Sequence, residues 1–310
     1  MKTKITVGLL LFAGVLVCGT ASRSESVPPQ QGQTAVVFAV SANRPPSTGD
    51  MLPILLIERG EFKNPVAGDS DESEIKRFAG NHYRKGQNYR LIFGGVEAGS
   101  VSVSKFVGGE CGRTNGNVSI KSRQPLNVNV MALATDSKTV VGAASASSRR
   151  RPTESERTQA MELARAAYRE KGVPAALLAK LQTINLTATD LNHDGRAELV
   201  GSFVASKRTR PQLRYVLFLV AESDGANYKR SHLTFDKLTD KDIMDGADMN
   251  AINEGVYVET MIDHLNLDSN GWDELFTLKR GFEGDSYQAY KRQNGRWTSV
   301  YEFNNYRCAF

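Results

Sequence analysis

Cysteine, long apolar runs and an excess of one charge sign are all scarce in this sequence of 310 residues. With 3 cysteines, the chain is not a small disulfide-stapled scaffold. Its most prominent apolar run, Ile5 to Val17, is shorter than the ~20 residues of a spanning helix, which excludes a polytopic membrane protein. A composition that is 40% hydrophobic and 24% charged excludes collagen-like and fully disordered chains. The length predicts a globular protein of about two domains.

The order of residue types in segment 1–21 is typical of a secretory signal peptide. Two lysines precede the apolar run, and the small residues Gly19 and Ala21 stand before a cleavage site at Ser22. We therefore expect export to the cell envelope, the periplasm or the medium, with no transmembrane span in the mature form. A membrane anchor and a lipoprotein acylated at Cys18 are the alternatives.

Cleavage would remove Cys18 and leave Cys111 and Cys308. Two thiols in an oxidising compartment most often pair, so we predict a disulfide between them. In the chain-entropy model, so long a closed loop would contribute about 5 kcal/mol. Two free, buried thiols are the alternative, and a count of free thiols in the denatured, unreduced protein distinguishes the two cases.

The mature chain divides by composition into four segments. Residues 22–33 are polar and rich in proline and glutamine, as in a flexible leader. Residues 34–146 contain short runs of branched residues between turn signals, which predicts a β-sandwich-like domain or a partly open barrel. Residues 147–182 form a basic linker and a helical segment, and residues 183–310 form an antiparallel β-meander domain. The predicted fold is therefore mainly β.

The helical segment has clear start and stop signals. Thr153 and Glu156 form a capping box at its start, and Gly172 ends it. Its apolar face consists of Met161, Leu163, Ala164, Ala167 and Tyr168. A shorter helix follows at about 175–181, and we expect the pair to cover one end of a sheet.

Two segments of the C-terminal half are related to each other. Asp190–Val200 reads DLNHDGRAELV and Asn266–Phe276 reads NLDSNGWDELF, 76 residues further on (266 − 190). Both have Asp or Asn at positions 1, 3 and 5, glycine at position 6 and glutamate at position 9. Each continues into a strand-like run and then a hairpin signal, so that each unit predicts a β-meander.

The spacing within each segment suits calcium. This hard cation takes six to eight oxygen ligands, which alternate side chains and one backbone carbonyl of a tight loop can supply. The first loop offers Asp190, Asn192, Asp194, the Arg196 carbonyl and Glu198. The second loop offers Asn266, Asp268, Asn270, the Trp272 carbonyl and Glu274. Three carboxylates against two predict tighter binding in the first loop, and an Asx-rich turn without metal is the alternative for each.

A D-x-[DN]-x-D-G-x-x-[DE] loop that opens a β-meander resembles the FG-GAP/VCBS-type repeats of integrin-like β-propellers. The resemblance covers about 45 residues at each loop, in the C-terminal half only. It implies structural Ca²⁺ held by the loop acids and two propeller-blade-like units. A closed propeller typically has at least four blades, so the two units would either pair within the chain or complete a propeller by oligomerising.

The sequence contains no recognised catalytic motif. H-E-x-x-H, C-x-x-C and G-x-S-x-G patterns are absent. His193 and His264 lie in or beside the loops, where we expect them to face solvent. Glu259 and Asp263 would share one face of a strand, as surface acids, as extra calcium ligands or as an acid pair.

These features predict a secreted or cell-envelope protein that binds or supports rather than catalyses, with calcium-stabilised β repeats. Its ligand would be a protein or a glycan. Cleavage lowers the net charge from +5 to 5 − 2 = +3, and no basic face with interleaved aromatic residues is present, so nucleic acid is not an expected partner. An exported hydrolase whose active site is not apparent from the sequence is the alternative.

Overall fold

A computed structural model describes residues 34–108, 114–124, 126–128, 130–138, 148–243, 248–268 and 270–306. The fold is mainly β, with 52% strand and 14% helix, as predicted. The predicted signal peptide, the predicted leader and all three cysteines, including Cys111 and Cys308, lie outside the described residues. No helix in the described part combines the length and apolarity needed to cross a membrane.

The N-terminal sheet closes into a barrel rather than forming a two-sheet sandwich. Its strands are β1 (Thr34–Ala42), β2 (Thr48–Glu58), β3 (Glu61–Lys63), β4 (Asn88–Phe93), β5 (Val96–Phe106), β6 (Gly116–Ser122) and β7 (Met131–Thr135). Their order is β1-β7-β4-β5-β6-β2-β3, and the additional pairing of β1 with β2 completes a ring of six strands. Alternate side chains point into the barrel around Phe38, Met51 and Leu91.

Helix α1 (Glu72–His82) packs against the barrel. The charged segment from which it forms predicts only a helical turn, but the helix has 11 residues and buries Ile75 and Phe78. Tyr83, just after it, lies in the barrel core and donates a hydrogen bond from its hydroxyl to the Met51 carbonyl at 2.9 Å.

The C-terminal half contains two four-stranded antiparallel meanders. Sheet I consists of β8 (Gln182–Thr189), β9 (Glu198–Lys207), β10 (Leu213–Asp224) and β11 (Asn227–Thr239). Sheet II consists of β12 (Glu259–Leu265), β13 (Glu274–Arg280), β14 (Gly284–Gln293) and β15 (Arg296–Tyr306). In both sheets the strands follow one another in chain order, as the repeated sequence pattern predicts.

Three further helices complete the described structure: α2 (Glu154–Glu170), α3 (Ala175–Leu178) and α4 (Asn250–Asn253). The predicted capping box is present, because the Thr153 hydroxyl accepts from Glu156 N and the Glu156 carboxylate accepts from Thr153 N. Helix α2 buries Ala160, Ala164 and Tyr168 against the face of sheet I, not against one end of it.

The layers are stacked in the order α2, sheet I, sheet II and barrel. One face of sheet I packs against α2. Its other face meets sheet II through a cluster that includes Val200, Phe218, Leu275 and Trp297. The far face of sheet II covers the outer wall of the barrel, where Phe276 and Phe303 join the wall residues. Both sheets are therefore buried on both faces, and a different structure covers each end of the pair.

Candidate metal centre

The two predicted loops occupy equivalent places in the two sheets. Loop I (residues 190–197) joins β8 to β9, and loop II (residues 266–273) joins β12 to β13. The glycine at position 6 has a positive φ in both loops, +84° at Gly195 and +88° at Gly271. That conformation disfavours residues with a side chain, so the glycine permits the sharp turn.

Loop I is held by hydrogen bonds from its backbone to its own side chains. The Asp190 carboxylate accepts from Asp194 N at 3.2 Å and from Gly195 N at 2.9 Å. Asn192 Oδ1 accepts from Asp194 N at 3.0 Å, and Asp194 Oδ1 accepts from Arg196 N at 2.8 Å. The side chains at positions 1, 3 and 5 therefore turn towards the backbone of the loop, while Arg196 and Asp194 remain exposed.

Loop II repeats part of this scaffold with fewer charges. Asp268 Oδ1 accepts from Asn270 N at 3.1 Å, and Asn270 Oδ1 accepts from Trp272 N at 2.8 Å. The Asn270 amide also donates to Asp268 Oδ2 at 3.0 Å. Asn266 is half-buried at the start of the loop. Amides thus replace carboxylates at positions 1 and 5.

A buried glutamate closes each loop. Glu198 Oε2 accepts from Leu191 N at 2.8 Å, and Glu274 Oε2 accepts from Leu267 N at 2.7 Å. Burial raises the pKa of each carboxyl to about 7. Asp190 and Asp194 contribute to this rise in the pKa of Glu198, since nearby negative charges disfavour its ionised form.

The residue that faces this glutamate from the third strand differs between the sheets. In sheet II it is Lys291, whose Nζ lies 2.7 Å from Asp268 Oδ2 and 3.3 Å from Glu274 Oε1. In sheet I it is Glu222, which forms a bidentate ion pair with Arg292 at 2.6 and 2.8 Å. Trp297 Nε1 donates to the same carboxylate at 3.0 Å.

The two loops differ in how well their side chains meet the requirements of a bound cation. Among the described residues, no three His, Cys, Asp or Glu side chains are grouped closely enough to hold a metal ion as they stand. In loop I the donor chemistry nevertheless fits calcium, because carboxylate and amide oxygens dominate and a third-strand acid stands opposite Glu198. In loop II an ammonium group already lies against both acids.

A buried polar network joins the two loops. Asp273 of loop II is 1% exposed and accepts from His193 Nε2 at 2.8 Å and from His264 Nδ1 at 2.5 Å. Its backbone N donates to the Leu191 carbonyl of loop I at 2.9 Å. Burial would raise the pKa of Asp273, but the two histidine hydrogen bonds hold it below its usual value.

The network continues to β8 and to the segment before α2. A carboxylate only accepts hydrogen bonds, so His264 Nδ1 donates to Asp273, and Nε2 of the same ring lies 2.7 Å from the Thr189 hydroxyl oxygen. Thr189 Oγ1 lies 3.1 Å from Ser148 Oγ, which accepts from Asp190 N at 3.0 Å. The prediction that His264 faces solvent is wrong, because its exposure is 0%, whereas His193 is partly exposed.

The barrel contacts this network through the turn between β4 and β5. A Cβ on Gly95 would lie 2.5 Å from the His264 ring, so this position has no room for a side chain. Gly94 N donates to both oxygens of Asp263, at 2.9 and 3.0 Å. Arg149 Nη1 lies 3.3 Å from the same carboxylate, with its guanidinium over the Phe93 ring. Arg149 is therefore an interior residue, not part of a solvated linker.

The predicted pair of surface acids is also wrong, for a geometric reason. A bulge between Met261 and Asp263 reverses the alternation of β12, so Glu259 and Asp263 lie on opposite faces. Glu259 accepts from the Thr277, Tyr290 and Thr234 hydroxyls between the sheets, whereas Asp263 faces the barrel. Both are buried, at 7% and 0% exposure.

Sequence reasoning missed Asp273 as a central residue. The one available signal was a difference between the repeats, because loop I has Ala197 where loop II has Asp273. A buried acid that is unique to one copy points to a partner outside its own loop. That partner, His193, lies 80 residues away in the chain.

Comparisons with known proteins identify no relative. No protein-family model, curated protein or solved structure matches the chain.

Proposed function

We propose that this protein is a secreted or cell-envelope binding protein without catalytic activity, in which calcium bound by loop I stabilises the paired sheets. In this proposal sheets I and II are blade-like units similar to FG-GAP/VCBS-type repeats. Asp190, Asn192, Asp194, the Arg196 carbonyl and Glu198 would hold the ion. The ligand that the protein binds would be a protein or a glycan.

The observation that carries the proposal is the charge of loop I. Asp190 and Asp194 lie within loop I, Glu198 closes it at the start of β9, and Glu222 stands opposite Glu198. The described ion pair of Glu222 with Arg292 offsets only one of these charges. In loop II, by contrast, Lys291 contacts both acids. Calcium would supply loop I with the positive charge that the chain itself supplies to loop II.

The place of loop I explains why an ion there would stabilise the whole C-terminal half. Loop I contacts loop II through the His193–Asp273 hydrogen bond and the Leu191 carbonyl. Asp190 N donates a hydrogen bond to Ser148 Oγ, in the segment that leads into α2. An ion that fixes loop I would thus fix the junction of both sheets.

Export is supported by the order of residue types in segment 1–21.

A non-catalytic role is supported by the burial of the polar network around His264. Thr189, His264 and Asp273 form a hydroxyl–imidazole–carboxylate series, an arrangement that some hydrolases use. The Thr189 hydroxyl and the His264 ring belong to residues of 0% exposure, so no substrate reaches them in this conformation. This burial favours a structural role over the exported-hydrolase alternative.

Calorimetry with calcium, together with thermal unfolding in calcium and in EDTA, tests the proposal. We expect calcium to bind and to raise the midpoint of unfolding of the wild type, and Asp194→Ala to lose both effects. Asn270→Ala, at the same position of loop II, is the matched control and should keep them. An absence of binding in the wild type, or equal binding in Asp194→Ala, would show that loop I is not a calcium site.

A further inference from the structure

Loop II has the sequence pattern of a calcium loop, but its surroundings do not suit a metal ion. Lys291 Nζ is 2.7 Å from Asp268 Oδ2 and 3.3 Å from Glu274 Oε1. We infer that Lys291 is a built-in cation that takes the place of calcium in loop II, and that its removal opens a second calcium site. The inference extends the proposed function but is tested on different residues.

The Lys291 ammonium group is held by contacts on two sides. The Lys291 side chain is only 18% exposed. Its Nζ lies 6.0 Å from the centre of the Phe62 ring, which belongs to β3 at the edge of the barrel sheet. A cation over an aromatic face within ~6 Å is attracted by the ring. Sheet II and the barrel therefore hold the lysine head at the loop acids.

Glu274 needs this charge. Its side chain is fully buried, and Oε1 has no hydrogen-bond donor among the described residues. An ionised carboxylate removed from water is strongly destabilised unless a charge or a donor compensates it. The Lys291 ammonium is the ion-pair partner of that oxygen, and without it Glu274 would need another cation or a proton.

Lys291 in sheet II and Glu222 in sheet I occupy equivalent positions in the third strands of their sheets. Leu199 pairs with Ala221 in sheet I, and Leu275 pairs with Tyr290 in sheet II. One residue further, Glu198 stands opposite Glu222 and Glu274 opposite Lys291. The fourth strand of each sheet also has a one-residue bulge beside this point, opposite Val220 and Ala221 in sheet I and opposite Ala289 and Tyr290 in sheet II.

The charge content of the loops agrees with this exchange. Loop I and its closing glutamate contribute three carboxylates, which suit a divalent ion. In loop II the Lys291 ammonium group pairs with Asp268 and with the closing glutamate, Glu274. The third acid, Asp273, is buried and accepts hydrogen bonds from two histidines. Asn266 and Asn270 keep oxygen donors at positions 1 and 5 without added charge.

The test compares wild type, Lys291→Met and Lys291→Glu. Methionine keeps the unbranched side chain without its charge, and glutamate reproduces the acid of sheet I. Ions bound per chain are counted by equilibrium dialysis with calcium up to ~10 mM, above the ~10⁻³ M dissociation constants of weak extracellular sites. Unfolding midpoints are measured in calcium and in EDTA. Lys229→Met, which changes a lysine that is 75% exposed, is the control.

We expect one ion per wild-type chain and two in both Lys291 variants, which would also unfold at a lower temperature than the wild type in EDTA and recover in calcium. Adding Asp268→Ala to Lys291→Met should remove the second ion. Two ions in the wild type, or no additional ion in either variant, would overturn the inference. If the wild type binds none while Lys291→Glu binds one, the proposed role of loop I fails and the inference on Lys291 stands.

Discussion

Sheets I and II are two copies of one design with different surroundings. Each is a four-stranded meander with an Asx-rich loop after its first strand, a positive-φ glycine in that loop and a bulge in its fourth strand. Sheet I is covered by a helix and sheet II by a barrel wall. Hydrogen bonds between backbone and side chains fix the shape of each loop, whereas the third strand supplies the charge that faces it, Glu222 in sheet I and Lys291 in sheet II.

The junction between the copies depends on residues that are not repeated. Asp273 in loop II corresponds to Ala197 in loop I, and His193 corresponds to Ser269. These differences let one loop supply a carboxylate and the other an imidazole, so the loops attract each other instead of presenting identical groups. Three substitutions test how far the two sheets depend on each other and on the elements that cover them.

Asp273→Ala makes loop II resemble loop I and should have the largest effect. It leaves His264 fully buried without its acceptor and His193 without its partner. Removal of one partner of a buried ion pair costs ~3–5 kcal/mol, so the free energy of unfolding, measured in urea at neutral pH, should fall by about that amount. Asp236→Ala removes a half-exposed partner of Lys279 and should cost at most ~1 kcal/mol. Equal losses in the two variants would contradict a structural role for the network.

Thr153→Ala weakens the cover of sheet I without touching sheet II. The Thr153 hydroxyl caps α2, and loss of such a cap costs about 1 kcal/mol. Thr158→Ala, in the second turn of the same helix, should be neutral or slightly stabilising, because alanine has the higher helix propensity. Urea unfolding measures both, and a Thr153→Ala protein as stable as the wild type would show that the cap contributes nothing to the fold.

Glu259→Gln tests the space between the sheets, and its effect should appear only as pH rises. Burial raises the pKa of Glu259 above its usual value. Its contribution to stability is therefore fully present below the unfolded pKa of about 4.3 and is lost as pH rises through the folded value. Glutamine stays neutral, so the variant should gain stability relative to the wild type with increasing pH. A pH profile of Glu259→Gln that runs parallel to that of the wild type would refute this, and Glu302→Gln, which changes an exposed glutamate, is the control.

The local features of the fold could be read from the sequence. The capping box at Thr153, the glycine turns at Gly195 and Gly271, and the two meanders each follow from residues close together in the chain. Barrel closure could not be read in this way, because it depends on the pairing of β1 with both β2 and β7. Short strands with similar patterns allow a sandwich and a barrel alike, since both bury alternate side chains.

The candidate site likewise contains residues that local sequence predicts and residues that it does not. The loop ligands were predictable from spacing, whereas Lys291 was not, because only strand register places it opposite Glu274. The misplacement of Glu259 and Asp263 has the same origin: the Met261–Asp263 bulge inserts one residue, and a period of two predicts the wrong face beyond it. The burial of His264 depends on the Gly94–Gly95 turn, which lies in another part of the chain.

The stack of four layers also sets an order in time for a growing chain. The outer wall of the barrel is made first, yet its apolar residues are covered by sheet II, which is made last. Gly68 N donates a hydrogen bond to Asn305 Oδ1, 237 residues away in the chain. The Tyr301 hydroxyl donates one to the Ile54 carbonyl, 247 residues away. At ~5–20 residues per second, a ribosome needs on the order of 10–50 s to bridge such a span. The earliest part of the protein therefore waits for the latest, and folding cannot finish until β15 has been synthesised.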